Sequence, residues 1–164
     1  MSDATAARLA RLEARVQRLE DERAIIDLLT SYGFAVDGDD PDLTADLFAD
    51  DATVDIDCQI FMRGRAEIRG IVLSDAHQAI LPHCAHVMGP FVVDVDGDHA
   101  VATGYATVYV LTDGTRQVWR QAAGRWTLQR IAGRWRVVLR ESRALGSGAA
   151  QAMLRGAVPR PGPR

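Results

Sequence analysis

The chain contains no lysine: all 19 of its basic residues are arginine. Without a side-chain amine, Schiff-base mechanisms are excluded. Cysteine is nearly as scarce. Cys58 and Cys84 stand in apolar surroundings with neither a CxxC pair nor metal-ligand spacing, and both read as small core residues. No apolar run approaches the length of a membrane span, and residues 1–10 lack the apolar centre of a signal peptide, so a soluble, cytoplasmic protein is expected. Neither sign of charge is in large excess. A net charge of −3 leaves no electrostatic footprint for nucleic acid or an anionic membrane, and neither is expected as a partner. No nucleotide-binding glycine motif and no ligand cluster is present, so no cofactor and no metal are expected.

What is present suits one globular domain: 164 residues, 48% hydrophobic and 25% charged. Residues 1–22 form a distinct arm. Leu9, Leu12, Val16, Leu19, Arg23 and Ile26 recur at alternating spacings of three and four, a short heptad seam. It suits either a helix lying on its own domain or a coiled-coil contact between subunits. The domain proper spans 23–145. Its helix Ala24–Val36 stops at Gly38-Asp39-Asp40-Pro41, and a short helix Asp42–Phe48 follows with Leu43, Leu47 and Phe48 inward. Ala52–Asp57 alternates as a strand, and Arg65–Leu73 is helical. From Cys84 the pattern is β. A hairpin turns at Asp96-Gly97-Asp98, Ala100–Leu111 is a long strand, and Gln117–Ile131 is one or two strands interrupted near Ala123-Gly124. Trp135–Arg143 closes the domain, and 146–164 read as a loosely packed tail. Helices followed by long strands indicate an α+β fold, a curved antiparallel sheet wrapped over the N-terminal helices into a cone with an apolar interior.

Two residues carry chemistry. Asp37 ends the first domain helix, and His86 stands 49 residues later at the head of a strand. A carboxylate and an imidazole on separate elements meet only across a pocket, where together they can move a proton. His77 and His83 compete with His86, and His99 belongs to a turn. Tyr32 is a candidate hydrogen-bond donor, although five helical residues rotate it about 140° from Asp37. Tyr105, Thr107 and Tyr109 share one strand face, and Asp50–Asp57 reads as solvated surface.

Several segments together resemble the nuclear transport factor 2-like superfamily, in its SnoaL-like branch. They are Tyr32–Gly38, Leu47–Ala52, His86 ahead of Asp96–Gly104, and the ending Ile131–Val137. The resemblance implies a cone-shaped α+β fold and a small-molecule site. Asp37 and His86 match the aspartate and histidine of scytalone dehydratase, bile acid 7α-dehydratase and hexachlorocyclohexane dehydrochlorinase, and Tyr32 matches a tyrosine of the bile acid enzyme. Thr107 stands where that enzyme has an aspartate, and Arg143 is one position from its later arginine. The resemblance thus implies catalytic Asp37, His86 and Tyr32, with Tyr105, Thr107, Tyr109 and Arg143 around the substrate. It implies a cofactor-free lyase acting on a small alicyclic, steroid-like or polyketide-like molecule, and a homo-oligomer, a trimer ahead of a dimer. An isomerase or cyclase using the same dyad, and a binding or assembly module without turnover, are the alternatives.

Overall fold

The computed structural model describes residues 3–158; residues 1–2 of the arm and 159–164 of the tail lie outside the described residues. Helix α1 runs unbroken over Asp3–Asp37. Its sequence is rich in Ala, Arg, Leu and Glu, and Arg18–Glu22 and Arg23–Asp27 form i,i+4 pairs along it. Gly38 ends it, donating its N–H to the Phe34 carbonyl at 2.8 Å. Asp40 then caps α2 (Pro41–Asp46) by accepting the Leu43 N–H. Then come β1 (Phe48–Ile56), β2 (Ile60–Arg63), α3 (Gly64–Val72), α4 (Asp75–Gln78), β3 (Cys84–Asp96), β4 (His99–Thr112), β5 (Thr115–Ile131), β6 (Arg134–Ala144) and α5 (Gly148–Ala157).

The strands form one open, curved sheet in the order β2-β1-β6-β5-β4-β3. Its pairs are antiparallel except β1 with β6, which is parallel, so the sheet is mixed rather than antiparallel throughout. Two bulges matter for the site. Trp119 is the extra residue of β5 opposite Val108–Tyr109, and Val138 is the extra residue of β6 opposite Thr127–Leu128. Ile25, Leu29, Tyr32 and Val36 of α1 enter the concave side and pack with Phe48, Val54, Trp126, Leu128 and Val137. Tyr32 and Trp126 meet edge to face, with ring centroids 5.2 Å apart.

Several expectations are corrected. Leu9, Leu12, Val16 and Leu19 are 46%, 48%, 53% and 56% exposed, so the heptad seam is not buried on its own domain, although Arg18 and Asp21 of the arm meet Asp94 and Arg130 of the sheet. Leu43 faces solvent because α2 turns Thr44 and Ala45 inward instead. Strand β5 continues through Ala123-Gly124, where Gly124 faces Gly104 across the ladder and leaves room for the Trp126 indole. Cys58 is exposed in the turn after β1, where its φ of 57° suits a turn rather than a core. Asp55 and Asp57 are not solvated: each meets an arginine of the sheet. Residues 148–157, expected within a loose tail, form α5. Ser147 caps the helix through the Ala150 N–H, and Ala150 is buried. No described helix is long and apolar enough to cross a membrane.

Where α1 first becomes buried, Asp21 is only 6% exposed. It accepts hydrogen bonds from Arg130 Nη2 at 2.7 Å and Trp135 Nε1 at 3.1 Å, tying the helix to the far end of the sheet. Burial alone would raise its pKa, but these donors outweigh it and hold the carboxyl below its ordinary 3.8. A depressed pKa stabilises the fold fully above about pH 3.8, and that contribution fades as pH falls through the folded value. Asp21→Asn should therefore cost about 1–2 kcal/mol near neutrality, and the gap to wild type should close in acid. Urea unfolding across pH measures both, and a gap independent of pH would contradict the assignment.

Candidate active site

Gly33 is where the site begins. A Cβ built there would lie 2.5 Å from the His86 carbonyl oxygen, so only glycine lets β3 lie this close to α1. One helical turn on, Asp37 receives two hydrogen bonds from the same residue. His86 N donates to Oδ2 at 2.6 Å, and His86 Nδ1 meets Oδ1 at 2.6 Å. The Cys84 thiol adds a third donor to Oδ1 at 3.4 Å. Burial pushes the Asp37 pKa up, but the His86 ring and backbone N–H and the Cys84 thiol outweigh it and hold the carboxyl below the ordinary carboxylate range. The Cys84 thiol is pushed up to about 11, first by burial and then by Asp37, so it stays a donor rather than a thiolate nucleophile. An ionised carboxylate only accepts, so Nδ1 of His86 carries a proton and the neutral ring presents its lone pair at Nε2. Asp37 stands behind the ring and His86 lines a cavity, so the imidazole turns its Nε2 edge inward.

That cavity, ≈ 510 Å3, lies between the concave sheet and α3–α4, with walls such as Val36, Ile71 and Met88. Tyr32 and Thr107 line it; Tyr105, Tyr109 and Arg143 do not. Tyr105 is exposed on the outer sheet face, because Ala100, Ala102 and Val108 take the inward positions of β4. Arg143 also lies outward, ion-paired to Asp55 at 2.6 Å. Of four further lining residues, His77 was weighed in the sequence only as a rival to His86, and Arg120, Trp119 and Arg140 were not placed in the site. His77 is buried, its Nε2 3.0 Å from the Val36 carbonyl and its ring 5.7 Å from that of His86. Arg120 reaches Asp57 at 2.8 Å, and Trp119 enters at its bulge. Arg140 donates to the Tyr32 hydroxyl and lies over both the Tyr32 and Trp126 rings, 4.6 and 4.8 Å from their centroids. An arginine directly after the apolar run Val137-Val138-Leu139 of β6 was the available signal for it.

The SnoaL-like domain matches residues 17–141. The chain belongs to the SnoaL-like family. A nuclear transport factor 2-like protein with a cystatin-like fold from Novosphingobium aromaticivorans is similar to this SnoaL-like protein at 36% identity and a TM-score of 0.85, over 89% of this chain and 96% of that one. A candidate aromatic ring hydroxylase from the same organism aligns at 27% identity and a TM-score of 0.68, over 79% and 92% of the two chains. A candidate scytalone dehydratase, also from that organism, shares the fold at 18% identity and a TM-score of 0.68, over 77% and 85%. No curated protein matches the chain. The SnoaL-like fold includes enzymes that process small molecules, consistent with an enclosed apolar cavity carrying a few polar groups.

In this SnoaL-like protein the ligand-type atoms of Asp37, Cys84 and His86 lie within 4.8 Å of one another. Hydrogen bonds already join them, and the thiol keeps its proton within the set.

Proposed function

We propose that the protein is a cofactor-free lyase, acting in the cytoplasm, that removes water or another small leaving group from a small alicyclic, steroid-like or polyketide-like substrate. The observation that carries this reading is the doubly held His86, its Nδ1 tied to Asp37 and its Nε2 edge on an apolar cavity. Nε2 takes a proton from carbon beside a carbonyl, and Asp37 stabilises the imidazolium that forms. The electron pair of the broken C–H bond becomes the new C=C bond as the hydroxyl leaves. The imidazolium returns its proton to that hydroxyl, which departs as water. Tyr32 accepts from Arg140, so its own O–H is free to donate to a substrate oxygen. The same dyad would serve isomerisation if the His86 imidazolium returned its proton to a different carbon instead of to the hydroxyl.

The test incubates the protein with a panel of alicyclic β-hydroxy ketones in D2O and follows the products by NMR. Elimination gives an enone, and isomerisation leaves the mass unchanged apart from deuterium. Activity should survive exhaustive chelation and dialysis. Restoration of a dialysed, inactive protein by a metal or nucleotide would overturn the cofactor-free reading.

We further propose a homo-oligomer, a trimer rather than a dimer. The exposed stripe Leu9, Leu12, Val16 and Leu19 supports it. The outer sheet face supports it less, because α5 packs beside Thr103, Glu141 and Arg143 and covers part of that face. Light scattering at micromolar concentration should give a trimer mass. A monomer would remove the claim, and a dimer would weaken the dehydratase analogy. Loss of the oligomer on deleting residues 1–20 would place the contact in the arm.

A further inference from the structure

We propose that Arg140 makes the cavity a carboxylate site: the molecule processed there bears a carboxylate that completes the guanidinium beside Tyr32. Calling that molecule a substrate rests on the lyase reading; the anion site rests on geometry alone.

The other buried or half-buried arginines of β5 and β6 each meet a carboxylate. Arg120 pairs with Asp57 at 2.8 Å, Arg130 with Asp21 at 2.7 Å, Arg136 with Asp46 at 3.3 Å and Arg143 with Asp55 at 2.6 Å. Arg140 is the exception, meeting no carboxylate among the described residues although it lines the apolar cavity. Its one protein acceptor is the Tyr32 hydroxyl, which leaves four of its five N–H groups without an acceptor among the described residues. A half-buried guanidinium on an apolar wall gains from a paired counter-charge. The aromatic contacts stabilise the cation but supply no anion.

The rings also fix how a ligand can approach. The Tyr32 and Trp126 centroids are 5.2 Å apart and each lies within 5 Å of the guanidinium carbon, so they cannot flank it on opposite faces. They form a corner on one side, leaving the rest of the fork to the cavity. A planar fork of donors fits a planar pair of carboxylate oxygens. Resident acids do not compete. Asp37 spends both oxygens on His86, Asp57 holds Arg120, and Glu67 is exposed at the rim, where it accepts the Arg63 N–H. Anchoring a carboxylate at Arg140 leaves the apolar body of the molecule against Val36, Ile71 and Met88, facing the His86 edge.

The experiment is calorimetric titration with two probes of equal shape, cyclohexanecarboxylate and cyclohexanecarboxamide. Wild-type protein should bind the carboxylate roughly tenfold or more tightly than the amide. Arg140→Gln should erase that preference, and Arg116→Gln, at an exposed arginine of β5 outside the cavity, should keep it. Equal affinities in wild type, no detectable carboxylate binding, or a preference that survives Arg140→Gln would each overturn the proposal. If Arg140→Gln fails to fold, the wild-type comparison still decides. The two readings fail separately. Carboxylate preference without turnover on any substrate keeps the anion site and removes the lyase. Turnover of neutral hydroxy ketones with equal binding of both probes does the reverse.

Discussion

His86→Ala is expected to lower turnover by roughly 10²–10⁴-fold, the usual worth of a positioned acid–base group. The loss should fall on kcat, because the imidazole acts on a proton in flight rather than on ground-state binding. The side chain is 14% exposed and is a main donor to Asp37, so circular dichroism should stay near wild type while urea unfolding should show a loss of about 1–3 kcal/mol. Added imidazole should restore part of the rate by entering the vacated space. Asp37→Asn should cause a comparable loss by a different route. An amide can turn its NH2 towards the ring and favour the wrong tautomer, which is visible in the 15N shifts of His86 without any substrate. Full turnover in either variant, or an unchanged tautomer in Asp37→Asn, would remove the dyad from the mechanism.

Gly33→Ala should be nearly as damaging, although it touches neither dyad side chain. The added methyl would sit 2.5 Å from the His86 carbonyl oxygen and 3.2 Å from Met88 Cγ. The methionine can move; the backbone carbonyl cannot without taking β3 with it. We expect a loss of roughly 1–3 kcal/mol from overpacking. A strand pushed back by about 1 Å should also cost on the order of 10²-fold in rate, because His86 rides on it. Gly148→Ala is the control. It opens α5, away from the cavity, with nothing within 4 Å of the new Cβ, so it should be neutral or slightly stabilising. Equal behaviour of the two variants would show that the α1–β3 approach is not tight in solution.

Much of this architecture was legible in the sequence. The 3.6-residue recurrence of Ile25, Leu29, Tyr32 and Val36 gave the inward face of α1, and turns such as Asp96-Gly97 and Asp113-Gly114 gave the hairpins. Asp37 and His86 could be paired only through the resemblance, since nothing local says that residues 49 apart share a hydrogen bond. The misses have physical causes. Strand β2 is four residues long, too short to show alternation. Helix α5 is capped by a serine and built of alanines, with little apolar periodicity to mark it against the glycines and prolines around it. His77 is held by a backbone carbonyl on another element, which no spacing encodes. Arg143 was expected near the substrate only because the resemblance sets it one position from an arginine of the bile acid enzyme. The bulge at Val138 shifts the alternation set by Trp135 and Val137, so Arg140 and Ser142 face the cavity while Glu141 and Arg143 face outward.

That one extra residue changes what insertions and deletions do to this chain. A one-residue deletion is ordinarily ruinous to a central strand, because every later side chain changes face. In β6 the loss of Val138 would instead restore regular pleating and keep Arg140 inward. A deletion between Arg140 and Arg143 would swing Arg143 towards the cavity, leaving Asp55 alone on the outer face. An insertion ahead of Arg140 that the bulge failed to absorb would turn that arginine outward and leave an apolar cavity without its cation. For relatives of this chain, strand length near position 138 therefore says as much about the charge in the cavity as the identity of any single residue does.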